Sequence, residues 1–211
     1  GNGGSYDEKF NHAVGGSLEP GSTLKLVTMM ALLEDTNIEL TDSIKTGNGT
    51  YAFYNRLVKD HHEGGYGTVS IQQSFELSSN VAMAKLIDKH FGLKPDKFIG
   101  YLDRLKLTKP LGLQITGEVF PKVPRPGEKA WSGISLPWMS YGYGLEMSPL
   151  HTLTLYNAVA NDGEMIKPVF VTSVLKADKV IKTFETETLN GKICSTKTLN
   201  KLRLLLEGVV D

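Results

Sequence analysis

Ser22 and Lys25 stand three residues apart in the stretch EPGSTLKLVTMMALLEDT, residues 19–36. On a helix, residues i and i+3 share a face about one turn apart, so a hydroxyl and an amine at this spacing come within hydrogen-bond reach. The pairing has a chemical use. A serine hydroxyl is a weak nucleophile until a base takes its proton, and a lysine serves as that base once an apolar setting lowers its pKa towards neutrality. LKLVTMM is such a setting. A helix N-terminus adds free N–H groups and a partial positive charge, both of which favour negative charge developing at Ser22. The same two residues also fit an N-capping serine beside a lysine that snorkels to solvent, the commoner arrangement of such a pair. Ser173 and Lys176 repeat the spacing. They run from a predicted strand into its turn, and in a strand i and i+3 point to opposite faces, so that second match carries no chemistry.

A third element changes the balance. Ser78 and Asn80, in LSSNVAMAKL, form the only Ser-x-Asn of the chain, at the junction of two predicted helical pieces. A hydroxyl and an amide there can relay a proton to a leaving group and hold a substrate amide or the lysine ammonium. Ser78 or Ser79 acting as a helix-entry cap is the alternative.

The elements that must position these groups are mostly helical. A helix is predicted over Ser22–Glu34, delivered by a turn at Pro20 and Gly21, and it has almost no polar face, so it is expected to be buried on most sides. TGNGTYAFYNRLVKDHHEGGYG reads as turns and short extended pieces. TVSIQQSFELSSNVAMAKLIDKHFG reads as two helical pieces joined at SSN, the second closing at Gly92. Pro95 opens another helix, and a long irregular stretch from Gly112 to Gly144 carries four prolines and both tryptophans. Ser148 and Pro149 start a further helix, and Ser195 caps a final one. PVFVTSVL and KVIKTFET, separated by KAD, read as a hairpin. Two strands cannot cover so many apolar helix faces, which predicts more sheet in the parent domain.

Composition bounds the rest. The 211 residues suit a single domain with one sizeable core. Lys+Arg 23 balances Asp+Glu 23, so no net positive field argues for a nucleic-acid partner. The single cysteine, Cys194, excludes an internal disulfide framework and a cysteine metal cluster, and it is expected to be a free buried thiol. His61 and His62 lack a partner cluster and read as an exposed loop, so neither a metal nor a cofactor is expected. His12, His90 and His151 read as structural or exposed residues. Glu19 reads either as an acid that orients the loop entering the serine helix or as a surface acid. Trp131, Trp138, Tyr141 and Tyr143 either line a peptide groove or pack a long loop.

EPGSTLK, followed 56 residues later by SSNVAMAKL and then by LPWMSYGYGLEMSPLHTLTLYNAVANDGEMIKP, resembles the transpeptidase domain of class B penicillin-binding proteins. The resemblance spans nearly the whole chain and is strongest to the division-specific type. It implies an α+β fold of the serine β-lactamase/transpeptidase kind, here a helix-rich fragment (residues 1–211) with an incomplete antiparallel sheet. It also implies acyl transfer: Ser22 attacks the D-Ala-D-Ala bond of a peptidoglycan stem peptide, Lys25 is general base, and Ser78 and Asn80 shuttle protons and hold substrate. β-Lactams would acylate Ser22. The family's third motif is Lys-Thr-Gly, after Ser-x-Asn in chain order. The only copy here, Lys45, Thr46 and Gly47, precedes Ser78 and reads as a glycine-rich turn, so it is rejected as the catalytic one. The catalytic copy is expected just beyond Asp211, and an opening strand is expected before SYDEKF. Such a fragment is expected to be weak or inactive. Implied partners are stem peptides, β-lactams and other cell-wall synthesis or division proteins. The implied location is the outer face of the cytoplasmic membrane, reached by an N-terminal anchor outside this sequence. The same fold also serves a non-catalytic β-lactam sensor, a division-site scaffold, or a D,D-carboxypeptidase or β-lactamase that ends the acyl-enzyme with water.

Overall fold

The structure is a computed structural model that describes residues 9–210. The boundaries of the chain, and the opening strand expected ahead of residue 9, lie outside the described residues. A short helix α1 (His12–Gly15) precedes a 3-10 turn (Gly21–Leu24) that runs directly into α2 (Lys25–Asp35). From Lys25 to Leu32 every residue of α2 is buried, as its all-round apolar sequence requires. Around α2 stand α4 (Asn80–Phe91), α5 (Pro95–Arg104) and α8 (Thr196–Glu207), with α3 (Ile71–Glu76) against α4 and α8. One contiguous core joins these helices, from Leu24 and Met30 on α2 to Ile87, Phe98 and Leu202 on its neighbours. α6 (Ser135–Met139) interrupts the stretch that was expected to be irregular, and α7 (Pro149–Ala160) follows it.

The helix limits follow local chemistry. Ser70 opens α3 in a full capping box with Gln73. The Ser79 hydroxyl accepts from the Ala82 N–H at the start of α4, and Ser195 does the same for Thr198 N–H at α8. Ser148 occupies the cap position of α7, but its hydroxyl pairs with Nδ1 of the buried His151 at 2.7 Å and makes no cap bond. Gly92 ends α4 with right-handed dihedrals, φ −54°, where the left-handed stop typical of glycine was expected.

Strands are more numerous than the sequence predicts. β1 (Ser43–Gly47) pairs with β4 (Gly67–Ser70), β2 (Thr50–Phe53) with β3 (Arg56–Lys59), β5 (Met165–Ile166) with β8 (Thr188–Asn190), and β6 (Ser173–Lys176) with β7 (Lys179–Thr183). All four pairs are antiparallel and two-stranded, so the sheet content among the described residues is a set of ribbons around a helical body. The β6–β7 hairpin is the predicted one. Its turn residues Ala177 and Asp178 both have positive φ, as a tight hairpin turn demands. The Lys45-Thr46-Gly47 copy corrects the sequence reading: it lies on β1, with Lys45 opposite Thr68, and not in a turn. Too few alternating apolar residues mark these short ribbons for period-2 reading to find them.

Among the described residues no helix is long and apolar enough to cross a membrane, and no cluster of three or more metal-ligating side chains forms. Cys194 is buried, and burial raises its thiol pKa to about 11. Native protein at pH 8 is therefore expected to leave Cys194 unmodified by iodoacetamide over minutes, whereas unfolding in guanidinium exposes it to rapid labelling. Quantitative labelling of the native form would contradict this placement.

Candidate active site

Three of the four residues singled out by the sequence meet at one point. Ser22 lies on the 3-10 turn, one step before the α-helix that was expected to contain it. The difference helps the geometry, because in a 3-10 turn residues i and i+3 eclipse, setting Ser22 over Lys25. Lys25 Nζ donates to Ser22 Oγ at 3.1 Å and to Ser78 Oγ at 2.7 Å, and Ser78 Oγ donates to Ser22 Oγ at 3.1 Å. A closed triangle of two hydroxyls and one amine results. The Ser78 carbonyl accepts a further bond from Lys25 Nζ at 2.5 Å. Lys25 does not snorkel: it is 1% exposed.

Burial lowers the lysine pKa from 10.5 to about 8, against the opposing charge of Asp60. About a tenth of the lysine is then neutral at pH 7, far more than for an exposed lysine, and a neutral amine is what a general base needs. The triangle opens at one end of a cleft of about 330 Å³, whose apolar wall includes Phe75, Tyr156, Leu206 and Val209.

Ser78 reaches the triangle because its backbone adopts the left-handed region, φ 54°, which a non-glycine residue enters only when its surroundings hold it there. Ser79, the neighbour, takes the capping duty, so Ser78 is free to face the lysine. Asn80 stands apart from the expected arrangement. Its amide donates to the Lys59 carbonyl at 2.9 Å, which ties α4 to β3, and it does not hold the lysine ammonium.

Gly142, Gly144 and Tyr156, which the sequence does not mark as site residues, and Glu19, which it does, fix the 3-10 turn from outside. Gly21 N–H donates to the Gly142 carbonyl at 2.9 Å, Tyr156 Oη donates to the Thr23 carbonyl at 3.1 Å, and the Gly144 N–H donates to Glu19 Oε1 at 2.8 Å. Glu19 thus orients the loop entering the serine turn. Tyr141 is buried and Tyr143 half-exposed beside it on the loop that carries Gly142, and neither lines the cleft, while Trp131 and Trp138 pack on the core. Lys45, Thr46 and Gly47 are not part of the cleft lining; Thr46 Oγ1 donates to the Gly67 carbonyl within the β1–β4 ribbon. His61 and His62 are exposed, and His151 is fully buried between Ser148 and the Lys109 carbonyl.

Comparison with known proteins bears on this geometry. The family model described as penicillin binding protein transpeptidase domain matches residues 2–211. A protein named penicillin-binding protein PbpB, from Mycobacterium tuberculosis, is 28% identical over 207 residues, covering 95% of this chain and 29% of its own. One named probable peptidoglycan D,D-transpeptidase FtsI, from Caulobacter vibrioides, is 29% identical over 163 residues, covering 77% of this chain and 26% of its own. Among solved structures, the apo form of penicillin binding protein 3 from Mycobacterium tuberculosis superposes with a TM-score of 0.82 at 25% identity, over 95% of this chain and 44% of that one. The same protein is also solved in complex with ampicillin. The chain spans less than a third of the length of these two curated relatives.

Proposed function

The chain belongs to the penicillin-binding protein transpeptidase domain family, and from that premise we propose that it carries the serine, the base and the relay of a peptidoglycan D,D-transpeptidase. The observation that carries the proposal is the closed triangle of Ser22, Lys25 and Ser78 around a buried lysine of lowered pKa. Neutral Lys25 takes the Ser22 proton as Oγ attacks the carbonyl of the D-Ala-D-Ala bond. Ser78, bonded to both groups, passes a proton to the departing D-Ala amine as the C–N bond breaks, which leaves an ester at Ser22. The amine of a second stem peptide then attacks that ester, a proton returns through Ser78 and Lys25, and the crosslink forms with Ser22 free again. Asn80 braces the Ser78 turn against β3 and contributes its carbonyl oxygen to a substrate amide. No metal or cofactor is called for in this scheme.

The names of the relatives support the stem-peptide substrate, and the ampicillin complex of the mycobacterial protein supports β-lactams as acylating ligands. The family's Lys-Thr-Gly strand is proposed to come from outside these 211 residues, because the copy on β1 is committed to its ribbon. Oxyanion-hole donors carried by such a strand are worth on the order of a hundredfold to a thousandfold each, so the 211-residue chain alone is expected to acylate slowly. In the parent we place the domain in the cell envelope, at the outer face of the cytoplasmic membrane.

The test is intact mass after incubating the full-length protein with benzylpenicillin, followed by peptide mapping. One drug mass on the peptide containing Ser22, and crosslinked dimer from lipid-linked stem peptides, is the expected outcome. An adduct without crosslinking would point to a sensor, release of the adduct by water to a hydrolase, and no adduct to a scaffold. Any of these three would overturn the transpeptidase proposal.

A further inference from the structure

One acid that lies outside the triangle clamps the residues that follow Ser78. Asp60 follows β3, and its backbone N–H donates to the Gly49 carbonyl at 2.8 Å, which fixes it at the foot of the β2–β3 ribbon. Its Oδ1 accepts from Ser79 Oγ at 3.0 Å and from the Val81 N–H at 2.9 Å, and its Oδ2 accepts from Ser79 Oγ at 3.1 Å. Ser79 is fully buried. The carboxylate therefore clamps the residue after Ser78 and the first turn of α4, where negative charge also suits the helix end. A left-handed Ser78 needs such a clamp, since a free chain would relax that residue to negative φ and withdraw its hydroxyl from Lys25. The same carboxylate is the charge that acts on Lys25 from across the site.

We propose that Asp60 is a positioning residue for the acyl-transfer site: its clamp on Ser79 and Val81 holds the Ser78 turn in its left-handed form and so keeps the Ser78 hydroxyl on Lys25. This rests on the transpeptidase reading only for its kinetic half. The other groups facing the lysine do not duplicate the role. Ser22 and Ser78 are neutral, Tyr156 donates its hydroxyl to Thr23, and Glu76 on α3 accepts from Gln72 Nε2 at 2.8 Å. Tyr66, next to Asp60, donates to the Leu77 carbonyl at 3.1 Å and adds a second tether to the turn.

Two substitutions separate clamp from charge. Asp60→Asn keeps an Oδ1 able to accept from both Ser79 and Val81 while removing the charge; Asp60→Ala removes both. The lysine is followed directly by 13Cε-lysine NMR titration of the 211-residue chain, with its resonance assigned by its loss in Lys25→Met. Both variants are expected to titrate Lys25 at a lower pH than the unsubstituted chain, for which a midpoint of about 8 is expected. In the full-length protein, the pH at which benzylpenicillin acylation reaches half its plateau should fall likewise. The plateau itself should stay within about threefold for Asp60→Asn and drop roughly tenfold or more for Asp60→Ala. A purely structural acid would lower the plateau without moving the pH profile. An unchanged plateau in Asp60→Ala overturns the proposal, and so does an Asp60→Ala variant whose lysine midpoint and pH profile stay where they were. Failure of the unsubstituted protein to acylate at all refutes the transpeptidase reading and leaves the NMR comparison to decide the link between Asp60 and Lys25.

Discussion

Replacing Lys25 by methionine is expected to lower the rate of Ser22 acylation by about a hundredfold to ten-thousandfold, the usual worth of a positioned general base, and to erase the pH dependence below pH 8. Methionine matches the length and apolar body of the lysine stem, so the fully buried position stays filled. What disappears is the amine that reaches Ser22 at 3.1 Å and Ser78 at 2.7 Å. The pH effect has a definite sign. Lys25 acts as a base only when neutral, so the rate should rise with pH through the lysine's value of about 8 and level off above it. Stability runs by the same bookkeeping of protons. Because the folded-state value lies below the 10.5 of an exposed lysine, burial of Lys25 destabilises the fold progressively as pH falls below 10.5, and the penalty levels off below about 8, where the folded form is protonated as well. Lys25→Met should therefore be at least as stable as the unsubstituted chain at pH 7 while nearly inert to benzylpenicillin. Stopped-flow acylation across pH 6–10, with thermal melts alongside, checks both halves. A variant that acylates at the original rate would remove Lys25 from the chemistry.

The dyad was legible in the sequence because its spacing is local. Two residues three apart on one helical turn, inside an apolar run, carry their own geometry, and the 3-10 form of the turn only sharpened it. Ser78 was legible by type but not by conformation. Nothing in LSSN says which serine caps α4 and which turns into the site, since that is decided by the Asp60 carboxylate arriving from a ribbon nearly twenty residues upstream. Asn80 was assigned to substrate and lysine by the motif, whereas the fold engages its amide with Lys59 on β3. The helices α2, α5 and α7 were found from an all-round apolar run and from the prolines and caps that open them. Short extended pieces were expected where β2 and β3 lie, but their pairing and the β1–β4 ribbon were missed, because strands of four or five mostly exposed residues leave little hydrophobic pattern. For the Lys45-Thr46-Gly47 copy, order along the chain argued against a catalytic role and the cleft lining does not include it, while the local glycines misled about its conformation.

Gly142→Ala is expected to abolish acylation by adding a single methyl group. Gly142 has φ 90°, outside the regions that alanine tolerates, and a Cβ there would fall on the backbone of Gly21, inside the contact distance of its carbonyl oxygen and nitrogen. Neither obstacle can be relieved by turning a side chain, because both partners are main chain. The residues must separate, and the bond from the Gly21 N–H to the Gly142 carbonyl goes with them. Backbone strain and overpacking of this kind together cost on the order of 3 kcal/mol. The displacement falls one residue before Ser22, on a 3-10 turn whose register places Oγ above Lys25. A shift near 1 Å there is enough to cost about a hundredfold in rate, so acylation should fail even where the fold survives. Gly144 provides the control. It has φ 74° in the same loop, but a Cβ there meets nothing within 4 Å. Gly144→Ala therefore carries the backbone penalty without the collision, and its N–H can still reach Glu19. Chemical denaturation and benzylpenicillin labelling of the two variants should separate them. Loss of activity in Gly142→Ala alone assigns the effect to the pressure on Gly21. Equal loss in both would mean that loop conformation, and not the Gly21–Gly142 contact, sets the position of Ser22.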